Sequence, residues 1–186
     1  MDFQTLRFIV LSAALYGAFH FGYHKVPDQV LSEKVYPNVI GHFAAATINT
    51  ITPDRNVRVS DHTIMTKRAK LHIVRGCDGS GVLFMLTAAI IGFGAGLRKT
   101  LIGLFFGILT VYLINQVRIV GLYYVIEYNR LWFPPVHTYY APTLIIFLVA
   151  GFFLLWTRWA TAPEPGASGE IVKDADQTET ANHEQR

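Results

Sequence analysis

Four long apolar runs dominate the pattern of hydrophobic and polar positions, and they cover residues 5–23, 79–96, 99–118 and 139–159. The hydrocarbon core of a bilayer is about 30 Å thick, so a spanning helix needs roughly 20 mostly apolar residues. Tyrosines and tryptophans flank the last run, where interfacial aromatic belts are expected. The pattern predicts an all-α integral membrane protein with about four transmembrane helices.

The first run also has the general character of a secretory signal peptide. It lacks a clear basic n-region, and "HFGYHKVP" follows it in place of an A-x-A cleavage site. We therefore expect the first run to be a retained membrane anchor.

The segments outside these runs are shorter or more polar. Residues 36–51 are apolar but interrupted by glycine, histidine and asparagine, which favours an interfacial or re-entrant helix. Residues 55–76 are rich in Val, Ile and Thr and alternate loosely, which predicts a small extramembrane β-hairpin or β-like lid. The polar composition of 163–186 predicts a disordered tail after one membrane-embedded domain over 1–162.

Composition agrees with a membrane protein, because 52% of the residues are hydrophobic and only 16% are charged. A soluble domain carries about 25% charged residues. The net charge of +3 is explained by basic residues that face anionic lipid headgroups, so we expect membrane lipids and no nucleic acid as partners. The single cysteine, Cys77, excludes an intrachain disulfide and a multi-cysteine metal cluster. No metal or organic cofactor is expected.

Counting crossings places three polar residues at one face of the membrane. From Cys77 the chain crosses once by about residue 96, turns, and crosses back by Arg118. The segment that follows lacks a clean further span and leads to His137, just before the last apolar run. We therefore predict that Cys77, Arg118 and His137 lie at the same face.

These three residue types suit nucleophilic catalysis. A thiolate is a strong nucleophile, and a helix N-terminus or a nearby cation favours it over the thiol. His137 is suited to take the thiol proton and return it to a leaving amine. Arg118 is suited to hold a developing oxyanion, and an arginine at the membrane edge is costly unless it is paired or functional.

The order of these residues resembles the exosortase/archaeosortase family. The resemblance rests on "CDG" before a membrane helix, on "NQVRI" (115–119) and on the histidine that opens the last helix, and it covers about residues 30–155. It implies an integral membrane cysteine transpeptidase whose catalytic residues are Cys77, Arg118 and His137, with Asn115 supporting the site. The implied clients are exported proteins that carry a C-terminal sorting signal with a transmembrane tail.

One position departs from the family pattern, because Asp78 stands where the family usually has a serine. A carboxylate beside the thiol disfavours the thiolate. Pairing of Asp78 with Arg75 or Arg118, or a role in positioning His137, are the alternatives that the sequence leaves open.

The resemblance also implies a cytoplasmic (inner) membrane protein whose active site faces the extracytoplasmic side. Under this orientation the extracytoplasmic segment 24–76 holds more basic residues than the opposite face. Simple counting under the positive-inside rule therefore favours the reverse orientation. The outward-facing site rests on the resemblance.

Two other functions stay open at the level of sequence. Ser80 with His137 would suit an intramembrane serine protease, in which a serine takes the role of nucleophile. A non-catalytic membrane subunit would use Cys77 only as a site of lipidation. His20 and His24 have the i, i+4 spacing of a metal-ligand pair, but no glutamate lies between them as in HExxH.

Overall fold

The computed structural model describes residues 2–66 and 69–162, and the predicted tail over 163–186 lies outside this part of the chain. The described residues are mostly helical. Helix α1 is Phe3–Lys25, and three consecutive helical stretches that together form α2 are Asp28–Val30, the π-helical Leu31–Gly41 and His42–Ile51. Helix α3 is Ser80–Phe93, α4 is Leu97–Tyr128, and α5 is Arg130–Thr161, whose last stretch is Ala141–Thr161.

Three helices are long and apolar enough to cross a membrane, namely α1, α4 and α5. Helix α3 is equally apolar but has only 14 residues. At 1.5 Å per residue it is about 21 Å long, which is shorter than the hydrocarbon core. The structure thus agrees with a helical membrane protein, with three membrane-length helices where the sequence predicts about four.

A small antiparallel sheet occupies the predicted hairpin region, with one strand more than expected. Strands β1 (Arg58–Ser60), β2 (Thr63–Met65) and β3 (Lys70–His72) lie in the order β1-β2-β3. Val59 pairs with Ile64, which in turn pairs with Leu71, so one face of the sheet carries an apolar row. Ile64 and Leu71 are buried in this row.

Two clusters of buried apolar side chains divide the molecule. One lies among α2, the sheet and the C-terminal part of α4, and it includes Ile48, Ile64 and Tyr123. The other lies among α3, α4 and α5, and it includes Ile90 and Val149. The loop that carries Cys77 joins the sheet to α3 and therefore lies between the two clusters.

Hydrogen bonds fix α4 and α5 at the same height. The Lys99 ammonium group donates to the carbonyl of Ala160 at 2.9 Å, and Trp156 Nε1 donates to the carbonyl of Lys99 at 3.2 Å. Measured from this joined end, Arg118 lies about 29 Å along α4 and His137 about 35 Å along α5, at 1.5 Å per residue. Both distances are close to the thickness of a hydrocarbon core, so both residues lie near the far end of the helices.

Candidate functional site

The thiol of Cys77 lies against the imidazole of His137. Sγ is 3.3 Å from Nε2 and 4.0 Å from Nδ1. The ring of His137 stacks on the ring of Phe133, with the centroids 5.2 Å apart and an angle of 10° between the planes. A residue on the loop before α3 and a residue in the first turns of α5 thus form a thiol–imidazole pair, in which the ring has a fixed orientation.

Two side chains of α4 bind the backbone of the same loop. Arg118 Nη1 donates to the carbonyl of Cys77 at 3.5 Å, and Asn115 Nδ2 donates to the carbonyl of Asp78 at 3.1 Å. Residues three apart on a helix lie on the same face, so one face of α4 makes both contacts. The structure therefore brings together all the site residues that the sequence analysis names.

Asp78 has different partners from those that the sequence suggests. Its Oδ2 accepts a short hydrogen bond from the hydroxyl of Tyr23. Its Oδ1 accepts from the backbone N–H of Gly76 at 3.1 Å and from the hydroxyl of Ser80 at 3.0 Å. The carboxylate thus binds its own loop and α1, and it does not pair with Arg75 or Arg118 or position His137.

Arg75 is engaged with the end of α1 and the segment after it. Its guanidinium donates to the carbonyls of Tyr23 and Val26 at 2.7 and 2.8 Å, and it forms an ion pair with Asp28 at 2.6 Å. The same group lies 4.7 Å from the centre of the Tyr23 ring. The arginine before the cysteine therefore anchors the loop and is not free to stabilise charge on a substrate.

Sequence reasoning missed Tyr23 and Tyr36. The two hydroxyl oxygens are 2.9 Å apart, and Tyr23 continues the chain of hydrogen bonds to Asp78. Tyr23 is separated from Asp78 by more than fifty positions, and no periodic pattern connects them. The only available signal was a polar aromatic residue at the end of an apolar helix, which is also typical of an interfacial residue.

Glycines shape the loop on both sides of the thiol. Gly76 and Gly79 have φ angles of +90° and +82°, a region that residues with a side chain rarely adopt. A Cβ atom on Gly79 would also lie 3.0 Å from Cγ of Asn115. The glycine after Asp78 therefore allows α4 to approach the loop closely enough for Asn115 to bind it.

Burial raises the pKa of the Cys77 thiol. The charge of Arg118 opposes this effect and the charge of Asp78 adds to it, but burial is the largest contribution. The thiol is therefore the resting form near neutral pH, although a helix N-terminus and an arginine are nearby. Such a thiol needs a base to become a nucleophile, and His137 Nε2 is at hydrogen-bonding distance.

Two cavities border the loop. The bundle cavity, about 440 Å³, lies among α1, α3, α4 and α5, and its lining includes Arg75, Gly79, Asn115 and Arg118. The sheet cavity, about 340 Å³, lies between β3, α4 and the start of α5, and both Cys77 and His137 line it. The loop with Cys77 thus separates a cavity within the helix bundle from a cavity beside the sheet.

The alternative sites have less geometric support. The hydroxyl of Ser80 donates to Asp78, whereas His137 contacts the sulfur of Cys77. The rings of His20 and His24 are in edge contact, 4.4 Å between centroids. Within residues 2–66 and 69–162 there is no group of three or more His, Cys, Asp or Glu residues placed to hold a metal ion.

Comparisons of the chain with protein-family models, with curated proteins and with solved structures found no match. The function is therefore inferred from the chemistry of the site.

Proposed function

We propose that this protein is a membrane cysteine protease or transpeptidase that cleaves the C-terminal sorting signal of exported proteins. The observation that carries the proposal is the distance of 3.3 Å between Cys77 Sγ and His137 Nε2, beside the Arg118 guanidinium. A nucleophile, a base and a cationic group thus lie together, which is the minimum set for acyl transfer. The order of these residues, on which the resemblance to the exosortase/archaeosortase family rests, supports the same reaction.

In the first half-reaction Cys77 attacks the carbonyl carbon of the scissile peptide bond. His137 Nε2 takes the thiol proton as the carbon–sulfur bond forms, and the carbonyl oxygen becomes an oxyanion that Arg118 stabilises. The tetrahedral intermediate collapses when the carbon–nitrogen bond breaks and His137 gives its proton to the leaving amine. The products are a thioester on Cys77 and a free C-terminal tail with a new amino group.

In the second half-reaction an acceptor attacks the thioester. The acceptor is an amine or a hydroxyl group of a cell-surface carbohydrate or lipid, or water, and His137 removes its proton. The carbon–sulfur bond breaks and the thiolate of Cys77 recovers a proton from His137. The reaction needs no metal or organic cofactor, because no electrons are transferred and all protons pass through the imidazole.

The proposal places the site at the extracytoplasmic surface of the cytoplasmic (inner) membrane. In this arrangement residues 79–96, which contain α3, make the fourth crossing together with the glycine-rich turn that follows the helix. The client's tail lies in the bilayer beside the bundle, so that the cleavage point reaches Cys77 from the membrane side.

The test uses the purified protein in detergent with an exported protein that ends in an apolar tail and a short basic end. Intact-mass spectrometry follows cleavage and any adduct on Cys77. We expect a thioester on Cys77, and loss of cleavage in Cys77→Ala and His137→Ala, while Ser80→Ala cleaves the client. Cleavage that persists in Cys77→Ala and disappears in Ser80→Ala would establish the serine protease instead. A fatty acyl chain on Cys77 without any cleavage would identify a lipidated subunit.

A further inference from the structure

Two buried polar atoms in the wall of the bundle cavity lack a hydrogen-bond partner among the described residues. They are Oδ1 of Asn115 and Nε of Arg118. Each side chain uses its other polar group to hold the loop, since Asn115 Nδ2 binds the carbonyl of Asp78 and Arg118 Nη1 binds that of Cys77. Asn115 is only 5% exposed, so water does not readily satisfy its free oxygen. Buried polar atoms in proteins normally have partners, and these two indicate a ligand.

The pair matches the polar atoms of one peptide group. Asn115 Oδ1 is an acceptor and Arg118 Nε is a donor, whereas a peptide group offers one N–H and one C=O. The two residues lie one turn apart on the same face of α4, so both reach the same neighbourhood. Because their other groups bind the backbone on either side of the Cys77–Asp78 bond, this neighbourhood is next to the nucleophile.

The rest of the lining suits an apolar side chain that accompanies the peptide group. The wall includes Gly76, Gly79 and Gly81, where the absence of side chains allows another backbone to approach closely. The floor is apolar and is formed by Val82, Met85, Val111, Ile145 and Ile146. A volume of about 440 Å³ accommodates one large residue but not a helix.

We propose that the bundle cavity binds the client residue on the tail side of the scissile bond. The peptide group of that residue donates to Asn115 Oδ1 and accepts from Arg118 Nε, and its apolar side chain fills the floor. The tail side is assigned here because the cavity lies among α1, α3, α4 and α5, and the client's tail continues into the bilayer alongside these helices. The inference rests on the proposed function and adds the substrate class that the site selects.

The test needs no identified client, because two alkylating reagents report on the cavity through Cys77. Iodoacetamide carries only a small amide, whereas iodoacetyl-leucine amide places a peptide group and an apolar side chain one bond beyond the sulfur. We expect the leucine reagent to label wild-type Cys77 about tenfold faster, the discrimination typical of an apolar pocket. The ratio of the two rates is the readout, since a change in thiol reactivity alters both rates equally.

Gly81→Leu tests the cavity itself. A Cβ atom at Gly81 has no neighbour within 4 Å, so a leucine there extends into open space at the cavity wall. Gly121→Leu is the matched control, because Gly121 is equally open, lies on α4 and borders neither cavity. We expect the ratio to fall to about one in Gly81→Leu and to remain about tenfold in Gly121→Leu.

An ester analogue of the leucine reagent tests the hydrogen bond to Asn115, because the ester oxygen cannot donate. We expect the amide to exceed the ester about tenfold in the wild-type protein and to lose that advantage in Asn115→Ala, as expected for a lost bond to a buried acceptor. A ratio near one in the wild type, or a ratio unchanged by Gly81→Leu, would overturn the inference. If client cleavage depends on Cys77 while the ratio is one, only this inference fails. If the ratio behaves as expected but cleavage persists in Cys77→Ala, the proposed function fails and the peptide site stands.

Discussion

Tyr23 donates a hydrogen bond to Oδ2 of Asp78, and this contact joins the end of α1 to the loop that carries Cys77. The loop is held to the same end of α1 by Arg75, which binds the carbonyls of Tyr23 and Val26. Because α4 binds the loop from the other side, the position of the thiol depends on two helices that are distant in sequence. Helix α1 therefore serves the site as well as anchoring the chain.

Replacing Tyr23 with phenylalanine removes the hydroxyl and keeps the ring. A hydrogen bond to a charged group contributes about 1.5–3 kcal/mol, so Tyr23→Phe is expected to lower the free energy of unfolding by about that amount. The measurement is an unfolding titration with SDS in mixed detergent micelles. Tyr139→Phe is the control, because Tyr139 is 69% exposed. Equal stability of the two variants would contradict the structural role of this hydrogen bond.

Asp78→Asn tests the electrostatic effect of the carboxylate on the thiol. The Asp78 charge is one of the causes that raise the pKa of Cys77, so its removal lowers that pKa and increases the thiolate fraction at any given pH below it. The measurement is the rate of Cys77 alkylation by iodoacetamide between about pH 6 and pH 11, a range that brackets ordinary thiol titration. Because only the thiolate reacts, the wild-type rate still rises above about pH 8.5, and the midpoint of Asp78→Asn lies at lower pH.

The control for this shift is Asp54→Asn, which removes an equal charge from an exposed position on the connection between α2 and β1. Its alkylation midpoint is expected to match that of the wild-type protein. An Asp78→Asn midpoint at the wild-type value, or above it, would show that the carboxylate does not raise the pKa of the thiol.

The location of the site follows from the sequence more directly than its internal contacts do. The lengths of the apolar runs fix the height of each residue on its helix, and for that reason counting predicts that Cys77, Arg118 and His137 share one face. The contact of Tyr23 with Asp78 has no such basis, since the packing of α1 against α3 decides it. The close approach of Ser12 to Gly92 within this packing is likewise a property of the folded chain and has no periodic signal.

The ion pair between Arg55 and Glu127 is expected to show an asymmetric response to mutation. Arg55 Nε lies 2.8 Å from Glu127 Oε1, and the side chains are 24% and 2% exposed respectively. Arg55→Met leaves a buried carboxylate without its partner and is expected to cost about 3–5 kcal/mol. Glu127→Gln leaves an arginine that still reaches water, so its expected cost is only about 1 kcal/mol. SDS unfolding of both variants measures the difference, and equal costs would contradict the burial of the carboxylate.

Gly103 allows α4 and α5 to pack at the end of the bundle opposite the site. A Cβ atom on Gly103 would overlap the indole of Trp156, whose Nε1 donates to the carbonyl of Lys99. Gly103→Ala is therefore expected to destabilise the protein by about 1–3 kcal/mol in SDS unfolding, although alanine is the better helix former. Gly121→Ala provides the control, because open space surrounds that glycine and only the gain in helix propensity remains. If the clash is the cause, Trp156→Phe combined with Gly103→Ala costs less than the sum of the single variants, whereas additive costs would contradict a direct contact.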